Sequence, residues 1–233
     1  MKTEIKTDAI ILNKLNYGEY DRILTLITKN NGKIKVIAKS VRKQKSKLAS
    51  SLDYFCQSNI GFFPTIKGEI NRLISSNLSV YFENIMSDID RINLGFSFMK
   101  TIDKSVEGDD AEVYYELLRN AFIYLNDIDI NTVLVSNWFY CHFLKNYGHM
   151  PNLLTEKNGN KLNQHEFYQF SLDDFCFYSS TTDTAFSTDE IKYLRLIFSL
   201  DDISLLNKIT DSLAINRKLF PIIDAMFHNF NLV

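Results

Sequence analysis

The chain has 233 residues, of which 45% are apolar and 13% aromatic, so it can bury a sizeable core and is not an intrinsically disordered protein. The formal net charge of −2 conceals an asymmetry. Residues 1–80 carry 14 Lys and Arg against 6 Asp and Glu, a balance of +8, and the remaining residues carry a balance of −10. This division predicts a basic binding module joined to an acidic body.

Several classes of protein are excluded by what the sequence lacks. The longest apolar stretch, Val133–Leu144, is interrupted by polar residues and falls short of the roughly 18 residues of a membrane helix. Residues 1–8 alternate charges and lack the apolar centre of a signal peptide. The three cysteines, Cys56, Cys141 and Cys176, are far apart and predict reduced thiols. We therefore expect a cytoplasmic protein without cofactor or metal.

The first 80 residues contain five strand-like runs separated by turn signals. Lys33–Ala38 alternates strictly between apolar and other residues, and the Asn31-Gly32 turn before it predicts a hairpin with the preceding run. The runs are Asp8–Asn16, Arg22–Thr28, Lys33–Ala38, Leu52–Phe63 and Ile70–Tyr81. Because a small sheet avoids exposed edges by closing, the pattern predicts a five-stranded OB-type β-barrel over residues 1–80.

From residue 81 onward the apolar residues recur at helical spacing, which predicts a larger all-α bundle over residues 81–233 and an α+β fold class for the whole chain. A helix from Asn131 to Tyr147 is apolar nearly all round and should lie at the centre of the bundle. The last helical region, from Ser204 to about Phe230, is expected to break at Pro221. Residues 151–186 have no strong period and predict an insertion of irregular or short β structure.

The segment Lys39–Lys47 has five basic residues among nine and no acidic one. Such a density of cations holds phosphates by charge and by the release of counterions, independently of base sequence. The predicted nucleic-acid-binding residues are Arg22, Lys33, Lys35, Lys39, Arg42, Lys43, Lys45 and Lys47. Four nearby aromatic residues are candidate stacking platforms for unpaired bases, namely Tyr17, Tyr20, Tyr54 and Phe55. The alternative is a solvated loop without a partner.

Residues 7–55 carry a longer pattern than any short motif. It comprises Ile10-Ile11-Leu12, Tyr17–Leu26, Gly32-Lys33-Ile34, Ala38-Lys39 and Ser46. In this order and spacing it resembles the RecO family of bacterial recombination mediators. The resemblance continues more weakly at Tyr147–Pro151, followed by Leu153.

This resemblance implies a non-enzymatic DNA-binding protein of recombinational DNA repair. It implies binding to single- and double-stranded DNA, annealing of complementary strands, and assistance in loading RecA onto DNA coated by the single-strand DNA-binding protein. The implied partners are RecR and the acidic C-terminal tail of the single-strand DNA-binding protein, with RecA as an indirect partner and no membrane. The eight basic residues given above become the expected DNA contacts.

The chain departs from the family pattern in two places. Many relatives carry two C-x-x-C pairs in the insertion, and the matching positions are Thr155, Asn158, Ser179 and Thr182. Hydroxyls and amides are poor zinc ligands, so we predict a degenerate zinc-finger-like region without metal. Packing should hold it instead, through Phe167, Phe170, Phe175 and Phe177. Ser40 stands where relatives often have glycine.

Other functions remain open at this point. Cys141 and His142 are adjacent and diverge on a helix, and the chain has no Gly-rich phosphate loop, so we expect no enzyme activity. The main alternative is an OB-fold RNA-binding protein acting in translation or tRNA handling. A third hypothesis is an interaction scaffold whose basic loop only affects solubility.

Overall fold

The computed structural model describes residues 3–46, 48–65, 70–107, 111–163, 166–182 and 184–230. The chain forms two compact units, of which the first is Met1–Ile128 and the second is Asp129–Leu232. The predicted boundary between residues 80 and 81 marks the change from strands to helices. As a domain boundary it stays a prediction. The first compact unit also includes the first two helices after residue 81.

The N-terminal unit contains a closed barrel. Its strands are β1 (Ile5–Tyr17), β2 (Asp21–Thr28), β3 (Lys33–Ala38), β4 (Cys56–Phe63) and β5 (Asn71–Tyr81). They are hydrogen-bonded in the order β1-β2-β3-β5-β4, and β1 pairs with β4 to close the barrel. Only β3 and β5 run parallel among these pairs. The predicted five-stranded OB-type barrel is therefore confirmed.

Alternate residues of the strands point into the barrel, as their period of two requires. The side chains of its core cluster are Ala9, Ile11, Leu24, Leu26, Val36, Ala38, Val41, Leu52, Ile60, Phe62 and Leu73. The hairpin between β2 and β3 turns at Gly32, whose φ of 70° is a conformation that glycine adopts without steric cost. The intervening residues of each strand point outward and are available for other contacts.

Two helices, α1 (Ile89–Ser105) and α2 (Ala111–Asn126), pack against the outside of β1 and β2. Ile27 points away from the barrel core but is fully buried, because this end of β2 is covered. Phe55 is also fully buried and contacts the rings of Phe96 and Phe122 edge-on, with centroids 5.2 and 5.5 Å away. The basic barrel and the first two helices are therefore one packed unit.

The second unit is centred on α3 (Thr132–Asn146), which packs against α4 (Thr188–Ser199) and α6 (Ser212–Asn229); the short α5 spans Ser204–Asn207. The side chain of Asn131 caps α3. A buried polar network crosses this unit: Asn137 Nδ2 donates to Asn216 Oδ1 at 2.9 Å, and Asn216 Nδ2 donates to the Tyr193 hydroxyl at 2.7 Å. The central position predicted for this helix agrees with its burial.

The insertion is more regular than its sequence suggests. Four strands, β6 (Asn152–Glu156), β7 (Phe167–Ser171), β8 (Cys176–Ser179) and β9 (Phe186–Ser187), form a second sheet in the order β6-β8-β7-β9. Phe177 is fully buried, and the ring of Phe170 lies edge-on to it and to Phe175. Phe167 is 56% exposed and contributes little to this packing. The fold class is α+β, as predicted.

One expected helix break is wrong. Pro221 lies inside α6, and the chain is interrupted earlier, before Ser212, where Asp211 has a φ of 60°. Proline removes a hydrogen bond to the carbonyl four residues before it. Here that residue, Arg217, is exposed, as is Pro221 itself, so water can satisfy the carbonyl and the helix continues.

Gly95 of α1 faces the Phe55 ring so closely that an added Cβ would lie 2.4 Å from Phe55 Cε1. We predict that Gly95→Ala lowers the free energy of unfolding by about 1–2 kcal/mol, because the clash with a fully buried ring outweighs the higher helix propensity of alanine. Thermal and denaturant unfolding would measure it. The matched control is Asn93→Ala on the exposed side of α1. Equal stability of both variants would contradict this packing.

Candidate nucleic-acid interface

The basic segment predicted from the sequence is an anchored loop that follows β3. Ser40 N–H donates to the Asp21 carboxylate at 2.7 Å, and Arg42 N–H donates to the Tyr20 carbonyl at 2.9 Å. The Val41 side chain, only 3% exposed, is inserted into the barrel core. These contacts fix the loop against the turn between β1 and β2, so its path is determined by the barrel.

Most of the predicted cations are exposed on this anchored framework. Their side chains carry no acidic neighbour within the loop itself, so their positive potential reaches solvent. The exposed residues are Lys35, Lys39, Arg42, Lys43 and Lys45. Lys47 lies outside the described residues.

Two of the predicted cations have other contacts. Lys33 Nζ donates to the Asp103 carbonyl at 2.6 Å and lies 3.9 Å from the carboxylate of the same residue, at the C-terminal end of α1. Arg22 is half-buried, and its Nε donates to Asn16 Oδ1 at 3.2 Å. Both cations have less freedom to meet a phosphate than those of the loop. Their assignment to DNA binding stays a prediction.

The four candidate stacking residues differ in accessibility. Tyr17 and Tyr20 are 53% and 41% exposed and flank the turn that carries the loop. Lys43 Nζ lies 5.2 Å from the centroid of the Tyr20 ring, a cation–π contact that places an aromatic face beside a loop cation. Tyr54 is partly covered by Lys14, whose Nζ lies 3.8 Å from its ring centroid. Phe55 is fully buried, so its predicted role as a platform is wrong.

Lys14, a cation outside the predicted set, forms a local ion pair with Asp53. Lys14 Nζ contacts the Asp53 carboxylate, which also accepts a hydrogen bond from Tyr54 N–H at 2.7 Å. Partial burial alone would raise the pKa of Asp53, but these hydrogen bonds and the charges of Lys14 and Arg22 bring it below its ordinary value. These interactions favour the ionised form of Asp53, which offsets the charge of Lys14.

Sequence reasoning missed Arg72. This residue is exposed on β5 and pairs with Ile37 of β3, so it lies one strand away from Lys35 on the outer face of the barrel. No local signal in the sequence points to this residue, because Arg72 lies 25 residues beyond Lys47, the end of the basic segment. Only the parallel pairing of β3 with β5 brings the two together.

Cys141 and His142, the adjacent pair noted in the sequence, are both buried. Cys141 is fully buried, which raises the pKa of its thiol well above the ordinary value. The ring of His142 makes a 3.0 Å hydrogen bond to the Ile197 carbonyl, and burial lowers its pKa. Within the parts of the chain that the structure describes, no three His, Cys, Asp or Glu side chains cluster as metal ligands would.

The side chains at the four positions predicted to match the relatives' cysteines make internal hydrogen bonds. Thr155 Oγ1 accepts from Asn152 Nδ2 at 2.8 Å, and Ser179 Oγ donates to Glu156 Oε2 at 3.0 Å. Asn158 Oδ1 accepts from Asn160 N–H at 2.9 Å, and Thr182 Oγ1 accepts from Gln169 Nε2 at 2.8 Å. None of the helices α1 to α6 in the described ranges is long and apolar enough to cross a lipid bilayer.

Comparison with known proteins finds a matching family model and several relatives. Residues 1–82 match the model of the family described as "Recombination protein O N terminal". The chain is 34% identical over 154 residues to DNA repair protein RecO of Dehalococcoides mccartyi, which covers 64% of this chain and 58% of that protein. It is 28% identical over 150 residues to DNA repair protein RecO of Syntrophomonas wolfei, covering 64% and 59%. The chain thus spans less than two thirds of the length of these relatives.

Ser40 has a φ of 56°, in the left-handed region that disfavours side chains with a Cβ. We predict that Ser40→Gly raises the free energy of unfolding by about 0.5–1 kcal/mol, since glycine removes this strain. Ser46→Gly in the same loop is the control and should give no such gain. Denaturant unfolding measures both, and a loss of stability in Ser40→Gly would contradict the loop geometry.

Proposed function

We propose that this chain is a DNA-binding protein of recombinational DNA repair, because its residues 1–82 match the N-terminal model of the RecO family and its relatives are RecO proteins. The proposal requires a surface that attracts a polyanion and binds it non-covalently, without catalysing a reaction. The curated relatives are named DNA repair proteins, and that name carries the biological process to this chain as part of the proposal.

The observation that supports DNA binding is the anchored loop with its exposed cations. A flexible lysine-rich segment would lose conformational freedom on binding, whereas this loop is already held by Asp21, Tyr20 and the buried Val41. Its cations therefore face a phosphate chain without a large ordering cost. Contacts of this kind are independent of base sequence and weaken steeply as salt rises.

The two exposed tyrosines support a contribution of base stacking to DNA binding. Tyr17 and Tyr20 lie beside the loop, so a strand whose phosphates meet Arg42 and Lys43 has aromatic faces within reach. Stacking on such faces is available to unpaired bases and tolerates any sequence.

The finer activities are part of the same proposal. We propose that the protein anneals complementary strands and assists RecA loading on DNA covered by the single-strand DNA-binding protein. RecR and the acidic tail of the single-strand DNA-binding protein are the partners that family membership suggests. A strand-annealing assay with and without single-strand DNA-binding protein tests these activities. Annealing of naked strands alone would support DNA binding but reject the mediator role.

The proposed site yields a quantitative prediction about salt. Replacing Arg42, Lys43, Lys45 and Lys47 with Ala should weaken binding to labelled DNA. It should also flatten the plot of log affinity against log salt by up to about 0.7 per cation for single strands and 0.9 for duplex. Fluorescence anisotropy at several salt concentrations measures both quantities.

A matched control removes the same charge from the second unit. Lys161, Lys192, Lys208 and Arg217 are exposed there, and their replacement with Ala should leave the salt slope unchanged. An unaltered slope in the loop variant would instead support the scaffold hypothesis. Competition between single-stranded DNA and RNA of equal length addresses the RNA-binding alternative, because a preference for RNA requires contacts to the 2′-hydroxyl.

A further inference from the structure

The last strand of the barrel, β5, has one edge that lies beside another strand over only a small part of its length. Its other edge pairs with β4 from Arg72 to Tyr81, but β3 pairs with it only at Asn71 and Arg72. Within the described ranges, no strand lies beside this edge along Leu73–Tyr81, a segment called the β5 edge below. The backbone N–H and C=O groups of an unpaired edge can accept a further strand.

The β5 edge presents apolar side chains to solvent. Four of them are between 39% and 49% exposed, namely Ile74, Leu78, Val80 and Tyr81. Asn77, between the first two of these, is exposed as well. Burial of such side chains against a second strand would remove apolar surface from water, which favours association.

The usual protection of an edge strand is largely missing here. Edge strands commonly carry a lysine or a proline, which prevents pairing with another chain. The segment from Leu73 to Phe82 contains no charged residue and no proline. Its protection consists of two irregularities in the register with β4, one on each side of Ser75–Leu78. Because a bulge bends its strand, the stretch that can pair regularly is short.

The charges that flank the β5 edge indicate what fits against it. Arg72 precedes the segment, Glu83 follows it, and both residues are exposed. In an antiparallel pair of identical segments, the Arg72 end of one lies beside the Glu83 end of the other, so opposite charges approach at both ends. A parallel pair would bring like charges together. The antiparallel pair also has the two-fold symmetry that closes an assembly at two chains.

We propose that the β5 edge is a self-association surface, at which two copies of this chain pair their β5 strands antiparallel and form a dimer. Main-chain hydrogen bonds between the two strands hold the dimer, and the exposed apolar side chains pack across it. The paired stretch is short, so the interface is smaller than the roughly 1,600 Å² of stable complexes. The dimer is therefore weak, with a dissociation constant of about 10–100 μM.

Sedimentation equilibrium of the full chain without nucleic acid tests this proposal. Between about 5 and 500 μM the chain should change from monomer to dimer. Amide hydrogen exchange along the β5 edge should slow over the same range. The variants Asn77→Lys and Asn77→Glu should each weaken dimerisation about fivefold or more, because like charges then meet near the two-fold axis.

An equimolar mixture of the two Asn77 variants should restore association, because opposite charges then face each other. A variant that had failed to fold would not be rescued in this way. The matched control makes the same two substitutions at Asn93, on the exposed side of α1, and should leave dimerisation unchanged.

Three outcomes would overturn the proposal. The first is a chain that stays monomeric up to about 500 μM. The second is a dimer whose affinity is the same in both Asn77 variants as in the intact chain. The third is a monomer whose β5 edge binds an added extended peptide, which would assign this edge to a different protein.

Discussion

The hydrogen bond between the Ser40 N–H and the Asp21 carboxylate determines where the basic loop can run. Asp21 begins β2 and Ser40 follows the end of β3, so this bond joins the two ends of one hairpin and directs the chain over the mouth of the barrel. Val41 then enters the core, and its neighbours are left outside. A carboxylate that faced solvent here would weaken an anion-binding site. The Asp21 carboxylate instead accepts a backbone hydrogen bond and orients the loop. The side chains of the loop therefore determine its charge.

In the N-terminal unit, carboxylates of the helices locally offset the charges of cations on the barrel. Lys29 and Lys33 lie near the acidic groups Glu116 and Asp103 of α2 and α1, while the loop cations project elsewhere. Concentrated like charge destabilises a compact state by self-repulsion. The carboxylates of Glu116 and Asp103 relieve part of this repulsion where the helices cover the barrel, whereas the loop cations stay exposed.

The sequence predicted the barrel well because its strands alternate cleanly and its turns contain Asn-Gly and Tyr-Gly signals. It also located the basic loop, whose residues are contiguous. What it could not predict depends on pairing between distant segments: Arg72 joins the site only through the β3–β5 register, and Phe55 leaves it because α1 and α2 bury the ring. The second sheet was missed as a sheet because its strands have two to five residues, too few for a period to emerge.

The closure of the barrel has a consequence for the order of events during synthesis. The first strand made, β1, pairs with β4 from Ile5 to Ile10, and its partners there are residues 57 to 62. The hairpin of β2 and β3 can form early from neighbouring residues, but closure waits for long-range pairing, which is the slow and entropically costly part of folding. Arg72 joins β3 only after that segment has left the ribosome. A nascent chain therefore carries its basic loop before β5 completes the outer face beside it.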